Sequence, residues 1–394
     1  MQVLRASARH VTVGLMPKSL DSSVVLQVLP SLVTGGVERG TVEIAQALVE
    51  AEATALVASA GGPMAWQIEQ AGGVHVTLPL TTKSPIGLWW NARALEQLIR
   101  DRQVALVHAR SRAPAWSAWL ACQRTGVPFV TTYHGTYGEE FPLKRVYNSV
   151  MARGRIVIAA SRFIADLVVA RHGVDPARMR VIPRGVDPAV FDPDSVSGTR
   201  IAKLAAAWRL PDNVRVVMLP GRLTAWKGHA VLLDAIAALN RADVMCVFVG
   251  SDQGRRGYTR DLEAQAVRLG IADRLRLVGQ CDDMPAALCL SDVVVHASVQ
   301  PEAFGRVVIE AQAMGRPVIA SDLGGPVETV RHGETGWRVP PDDPTALAAA
   351  IEVALDLDPA ARIALGQRAR ESVPTVRAMQ DATLEVYRTV LHGD

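Results

Sequence analysis

Short apolar runs, rich in β-branched residues, recur along the chain, and each is followed by a longer helical pattern. The first series is Val24–Leu29, Ala55–Ala58, Val74–Leu78, Val104–His108, Phe129–Thr132 and Ile156–Ala159. The second is Val214–Leu219, Val244–Val249, Leu275–Val278, Val293–His296 and Pro317–Ala320. Runs that are apolar throughout suit strands buried on both faces of a parallel sheet. Their alternation with helices predicts an α/β protein of two doubly wound, Rossmann-like domains facing across a cleft. Residues Asp187 to Thr199 carry Pro188, Pro193, Ser195, Ser197 and Gly198, a linker composition. The expected layout is an extension (1–22), an N-terminal domain (23–187), a linker (188–199), a C-terminal domain (200–378) and a final helical segment (379–394). Ligands of open α/β sheets bind beyond the carboxyl ends of the strands, so the cleft is the expected site.

Composition narrows the class. The 394 residues are 49% hydrophobic and 21% charged, enough for sizeable cores without disulfides or a structural metal. A net charge of +3 argues against a dedicated nucleic-acid binder. From Lys144 to Arg184, however, nine basic residues face two acidic ones. Such a stretch is either a solvated face or, with Val146, Ile164, Leu167 and Val168 beside it, a membrane-surface contact. Cys122, Cys246, Cys281 and Cys289 form no CxxC or zinc-like spacing and read as reduced thiols of a cytosolic protein. No run of 18 apolar residues is present. The apolar piece Val11–Met16 is shorter than a signal peptide requires, so the first 22 residues are expected to be a flexible extension or the product of a misplaced start.

Several strand ends carry candidate chemistry. Gly221-Arg222 and Lys227-Gly228 follow the run Val214–Leu219, placing two cations and loop N–H groups where a diphosphate would be stabilised. The bland reading is a surface loop with two solvated cations. Glu302 and Glu310 bracket Ala303-Phe304-Gly305; Glu302 is expected in a loop and Glu310 on the second helical turn, both facing the crevice. A carboxylate there suits the hydroxyls of a ribose, and the alternative is one capping and one surface glutamate. Gly35-Gly36 lies between the first strand and the first helix and would let a ligand approach the backbone. Gly324-Gly325-x-x-Glu328 follows a strand and could offer N–H groups to a hydroxyl or phosphate. His134 sits just past Phe129–Thr132, as a catalytic or a merely hydrogen-bonded loop histidine. No HExxH or other metal-ligand spacing occurs, and no GxSxG elbow for a serine nucleophile.

In combination these motifs resemble the retaining family-four glycosyltransferases of the GT-B fold, over about Val24 to Leu391. The resemblance rests on Gly35-Gly36, Arg184-Gly-Val-Asp187, Gly221-Arg222 with Lys227-Gly228, Glu302-x7-Glu310 and Gly324-Gly325-x-x-Glu328. It implies an acceptor-binding N-domain and a C-domain that binds a nucleoside-diphosphate sugar. Arg222 and Lys227 would hold the diphosphate, Glu310 the ribose, Glu302 and His134 the transferred sugar. Gly221, Val278, Gly279 and Met284 would line the nucleotide site, and Gly35, Gly36, Ala303, Phe304 and Gly305 the sugar-phosphate loops. The final helix would cross back to the N-domain. Arg184 departs from the Asn of many relatives and is expected away from the catalysis.

The resemblance also implies a reaction without a bound metal or other cofactor, in which electrostatic stabilisation of the leaving diphosphate does most of the work. Gly35 to Thr41 looks like enzymes that build lipopolysaccharide core and other bacterial surface glycans. The expected acceptor is a lipid-linked or lipopolysaccharide-core saccharide, the expected sugar a hexose such as mannose. The protein would then be cytoplasmic and peripheral on the inner membrane face, with no nucleic-acid partner. Two other readings share the architecture: a nucleotide-sugar 2-epimerase and a non-catalytic sugar-binding protein.

Overall fold

The computed structural model describes residues 20–33, 35–139 and 142–393. The expected extension lies mainly outside them; Leu20 is already buried in the core of the first domain.

The first sheet contains β1 (Val24–Val28), β2 (Thr54–Ser59), β3 (Val74–Thr77), β4 (Leu106–Ala109), β5 (Phe129–Tyr133), β6 (Ile156–Ala159) and β7 (Met179–Val181). Their order is β3-β2-β1-β4-β5-β6-β7, every pairing parallel. The second contains β8 (Arg215–Pro220), β9 (Val244–Val249), β10 (Leu275–Leu277), β11 (Val293–His296), β12 (Val318–Ser321) and β13 (Trp337–Val339). It runs β10-β9-β8-β11-β12-β13, again all parallel. The apolar runs became strands because helices cover both faces of each sheet: β4, β6, β9, β11 and β12 are buried at every residue. β7 and β13 escaped the sequence reading. Each has three residues and lies at a sheet edge, where half-exposed positions break the apolar run.

The chain crosses between domains twice, and the crossings are stitched together. Val186 N–H donates to the Pro374 carbonyl at 2.9 Å, and Val376 N–H to the Val186 carbonyl at 3.0 Å. The helix Val376–His392 then packs on the N-domain, burying Met379, Leu384, Val386, Tyr387 and Val390 in its core. Tyr387 Oη lies 2.7 Å from His108 Nδ1 at the end of β4. Strand order reverses between β1 and β4 and between β8 and β11, so each domain turns its switch-point loops toward the other.

Candidate active site

Between the two sheets lies a cavity of about 430 Å³. Gly36, His134, Arg184, Arg222, Lys227, Glu302, Ala303, Phe304, Gly305 and Arg306 line it, with Val37, Gly135, Thr136, Ala160, Trp226 and Pro301. These residues come from the loops after β1, β5, β6, β7, β8 and β11, the places a doubly wound sheet offers to a ligand.

After β8 the chain turns through Gly221 into the short 3-10 turn Ala225–Lys227 and the helix His229–Ala238. Gly228 makes that turn possible: its φ is +73°, and a Cβ there would stand 1.8 Å from the Ala297 carbonyl oxygen. The close approach brings Lys227 against the loop after β11. Lys227 Nζ lies 2.5 Å from Glu302 Oε1 and 4.6 Å from the centroid of the Trp226 ring. Arg222 stands exposed at the rim and has no ion-pair partner among the described residues.

Glu302 is held by three donors on one oxygen. Lys227 Nζ, His296 Nε2 at 2.7 Å and Ser298 Oγ all meet Oε1, and none of the three takes Oε2. Burial opposes charge on this carboxylate, but His296 and Lys227 hold it well below the usual carboxylate range. His296 and Ser298 escaped the sequence reading. The only available signal was their position at the end of a strand whose loop carries a carboxylate.

Gly324 and Gly325 have a supporting part. Gly325 N–H donates to the Glu302 carbonyl at 2.8 Å, and a Cβ on Gly325 would stand 2.3 Å from the Ala303 oxygen. The pair therefore buttresses the Glu302–Phe304 loop. Glu328, further along, reaches across to the N-domain. Its carboxylate accepts the N–H groups of Arg162 and Phe163 at 2.8 and 2.7 Å, capping the helix Arg162–His172. Ser161 Oγ donates to the Ala303 carbonyl at 2.6 Å beside it.

Glu310 does not line the cavity. It follows Gly305 on the helix Arg306–Ala313 and is directed toward the helix Gly36–Glu50 of the N-domain. Arg306 Nε lies 3.1 Å and Arg39 3.8 Å from its Oε1, while Arg306 also pairs with Glu43 at 2.8 Å. Burial raises the Glu310 pKa although Arg306 and Arg39 pull the other way. Arg306, absent from the sequence reading, is the side chain that reaches the cavity from this network.

The remaining candidates divide. Gly35 caps the helix Gly36–Glu50 beside the cavity. Val278, Gly279 and Met284 lie after β10, an edge strand two places from β8, and do not line the cavity. Met284 packs instead among apolar side chains of the C-domain. Arg184, expected away from the chemistry, lines the cavity and hydrogen-bonds to His134 Nδ1. The basic stretch is not one face. Arg171 donates to the Thr136 and Tyr137 carbonyls, Arg178 to Ala152 and Gly154, and Arg180 to Ala177 and Met179. Ile164 and Val168 are core residues.

Comparison with known proteins follows the same division of the chain. Residues 34–190 match the family described as Glycosyltransferase Family 4, and residues 201–372 match Glycosyl transferases group 1. A D-inositol 3-phosphate glycosyltransferase of Kineococcus radiotolerans is 31% identical over 326 residues, 73% of this chain and 72% of its own. In four other relatives of that name the matched part spans 55–64% of their length, less than two thirds. A glycosyltransferase structure from Rickettsia africae superposes with a TM-score of 0.87 at 34% identity, covering 95% of this chain and 100% of that one. The Anabaena protein HepE, solved in complex with UDP and glucose, gives 0.81 at 26% identity over 92% and 98%. With two parallel sheets, a cleft between their carboxyl edges and these relatives, the chain belongs to the family-four glycosyltransferases of the GT-B fold.

Proposed function

We propose that this protein is a retaining hexosyltransferase that moves a sugar from a nucleoside diphosphate to an acceptor hydroxyl within the cleft. The observation that carries the reading is the convergence of Arg222, Lys227 and Glu302 on one cavity wall, with His134 opposite. Arg222 and Lys227 would neutralise the departing diphosphate. Glu302 Oε2, outside the three-donor contact, suits a sugar hydroxyl. Because Oε1 is tied to Lys227, His296 and Ser298, this carboxylate is a poor nucleophile, which favours a front-face transfer. The acceptor oxygen bonds to the anomeric carbon as the bond to the diphosphate breaks, and the hydroxyl proton passes to a leaving phosphate oxygen. In this reading Glu310 holds the ribose only once Arg306 and Arg39 release it. No metal ion is required. HepE's complex with UDP and glucose supports a uridine donor.

For the acceptor we favour a lipid-borne saccharide presented at a membrane surface. The helices Pro85–Asp101 and Pro142–Asn148 begin at the cleft edge of the sheet and leave Ile86, Trp89, Trp90, Leu143 and Val146 exposed. Trp116 and Ser117 join the two helices: Trp116 Nε1 donates to the Tyr147 carbonyl and Ser117 Oγ to that of Leu88. Lys83, Lys144 and Arg145 lie among these apolar residues, a combination suited to an anionic leaflet. The relatives' name supports a second reading, a soluble phosphorylated polyol as acceptor.

The deciding experiment is calorimetry with UDP, GDP, ADP, their hexose conjugates and NAD, all in EDTA. Selective binding of UDP and one UDP-hexose is expected. Binding of NAD alone, or of nothing, would sink the transferase reading. Release of nucleotide without transfer or hydrolysis would favour an epimerase.

A further inference from the structure

His134 and Arg184 form a pair that the transferase reading does not by itself require. Arg184 lies three residues after β7 and His134 one residue after β5. A terminal guanidinium nitrogen of Arg184 meets His134 Nδ1. A guanidinium has donors only, so Nδ1 must accept, and the ring proton of a neutral imidazole must sit on Nε2. His134 Nε2 is buried without a hydrogen-bond partner among the described residues, and its residue lines the cavity.

We propose that Arg184 is a positioning residue that locks His134 as the neutral Nε2–H tautomer, so that His134 donates a hydrogen bond to a substrate oxygen and accepts no proton during the reaction. The substrate oxygen is a hydroxyl or phosphate oxygen of the bound sugar nucleotide, and in that respect the assignment rests on the function proposed above. The surroundings support it. Burial, then Arg184, Arg110 and His108, lower the His134 pKa well below its ordinary 6.5. Tyr137 on the same loop bonds to the His134 backbone, and Arg222, Lys227, Glu302 and Arg306 are the other charged groups that line the cavity. Burial and Arg110 press the Arg184 pKa down to about 9, leaving it a cation at neutral pH.

The test is nitrogen-15 NMR of the imidazole rings in the full chain between pH 5 and 8, with His134→Ala to assign the resonance. The wild-type ring should remain neutral with its proton on Nε2 throughout. In Arg184→Met the protonation midpoint should rise by about one pH unit or more toward the unperturbed value. The variant's kcat should then fall about tenfold as pH drops through that midpoint, a limb missing from the wild type. A wild-type ring that titrates near 6.5 or carries its proton on Nδ1 would overturn the proposal, whether or not the variant folds. So would a folded variant whose ring behaves as wild type. A locked ring in a protein that binds no nucleotide would leave the tautomer standing and remove only the transferase reading.

Discussion

Lys227 Nζ and Glu302 Oε1, brought from loops 75 residues apart in the chain, meet at 2.5 Å with both side chains nearly buried. The cation proposed for the leaving diphosphate is thus paired with a carboxylate of the protein itself. In the proposed reading a phosphate entering the cavity would compete with Glu302 for Lys227, while Glu302 would keep His296 and Ser298 as partners. The pair holds Lys227 in place against the loop after β11.

Lys227→Ala removes a charge-assisted contact of about 1.5–3 kcal/mol, so UDP affinity should fall by about ten- to a hundredfold. Turnover should fall with it. Calorimetry showing wild-type affinity would remove Lys227 from the diphosphate site.

Glu302→Ala leaves Lys227 and His296 facing each other without their shared anion. Breaking a buried pair in this way costs about 3–5 kcal/mol, seen as a lowered thermal midpoint. The isosteric Glu302→Gln supplies the pH test. The folded-state pKa of Glu302 lies below its ordinary 4.5, so the stability it contributes is present above that value and is lost as pH falls through the folded value. The stability gap between wild type and Glu302→Gln should therefore not shrink as pH falls from 8 to 5, because the carboxylate also favours a protonated His296, and should shrink only in stronger acid. A gap that closes between pH 7 and 5 would contradict the geometry.

Glu328 caps an N-domain helix from the C-domain, so it ties the two domains together and stabilises neither alone. Glu328→Ala should shift the population toward an open form, by about 0.5–2 kcal/mol if it resembles other lost caps. Small-angle scattering should report a larger radius of gyration for the unliganded variant, and a donor sugar should reverse the change. Identical scattering curves for the two proteins would show that the cap does not hold the domains together.

The double variant Trp89→Ala/Trp90→Ala should reduce cosedimentation with vesicles containing anionic phospholipid while leaving UDP binding intact. Both tryptophans are exposed and away from the cavity, so a loss of nucleotide binding is not expected. If wild type and variant both remain in the supernatant at low salt, the membrane-borne acceptor yields to the soluble one.

Much of this protein was determined by its sequence alone. Strands such as Ile156–Ala159 and Val244–Val249 are legible because parallel strands covered on both faces need apolar residues at every position. Glycine-bearing loops at their ends mark the cleft, since a doubly wound sheet presents its ligand sites there. The tertiary structure alone decided which charges meet. His296 reads as one more strand residue until the turn at Gly228 brings Lys227 to the same carboxylate. Glu310 has the spacing of a cavity residue, but its partners, Arg306 on its own helix and Arg39 on the first helix of the other domain, are set only by the fold. Arg184 looks like a departure in a linker lead until β5 and β7 carry it to His134. Helical phase and strand burial depend on neighbours along the chain. A buried ion pair or a fixed tautomer depends on two loops sharing one small, water-poor volume, which only the folded chain creates.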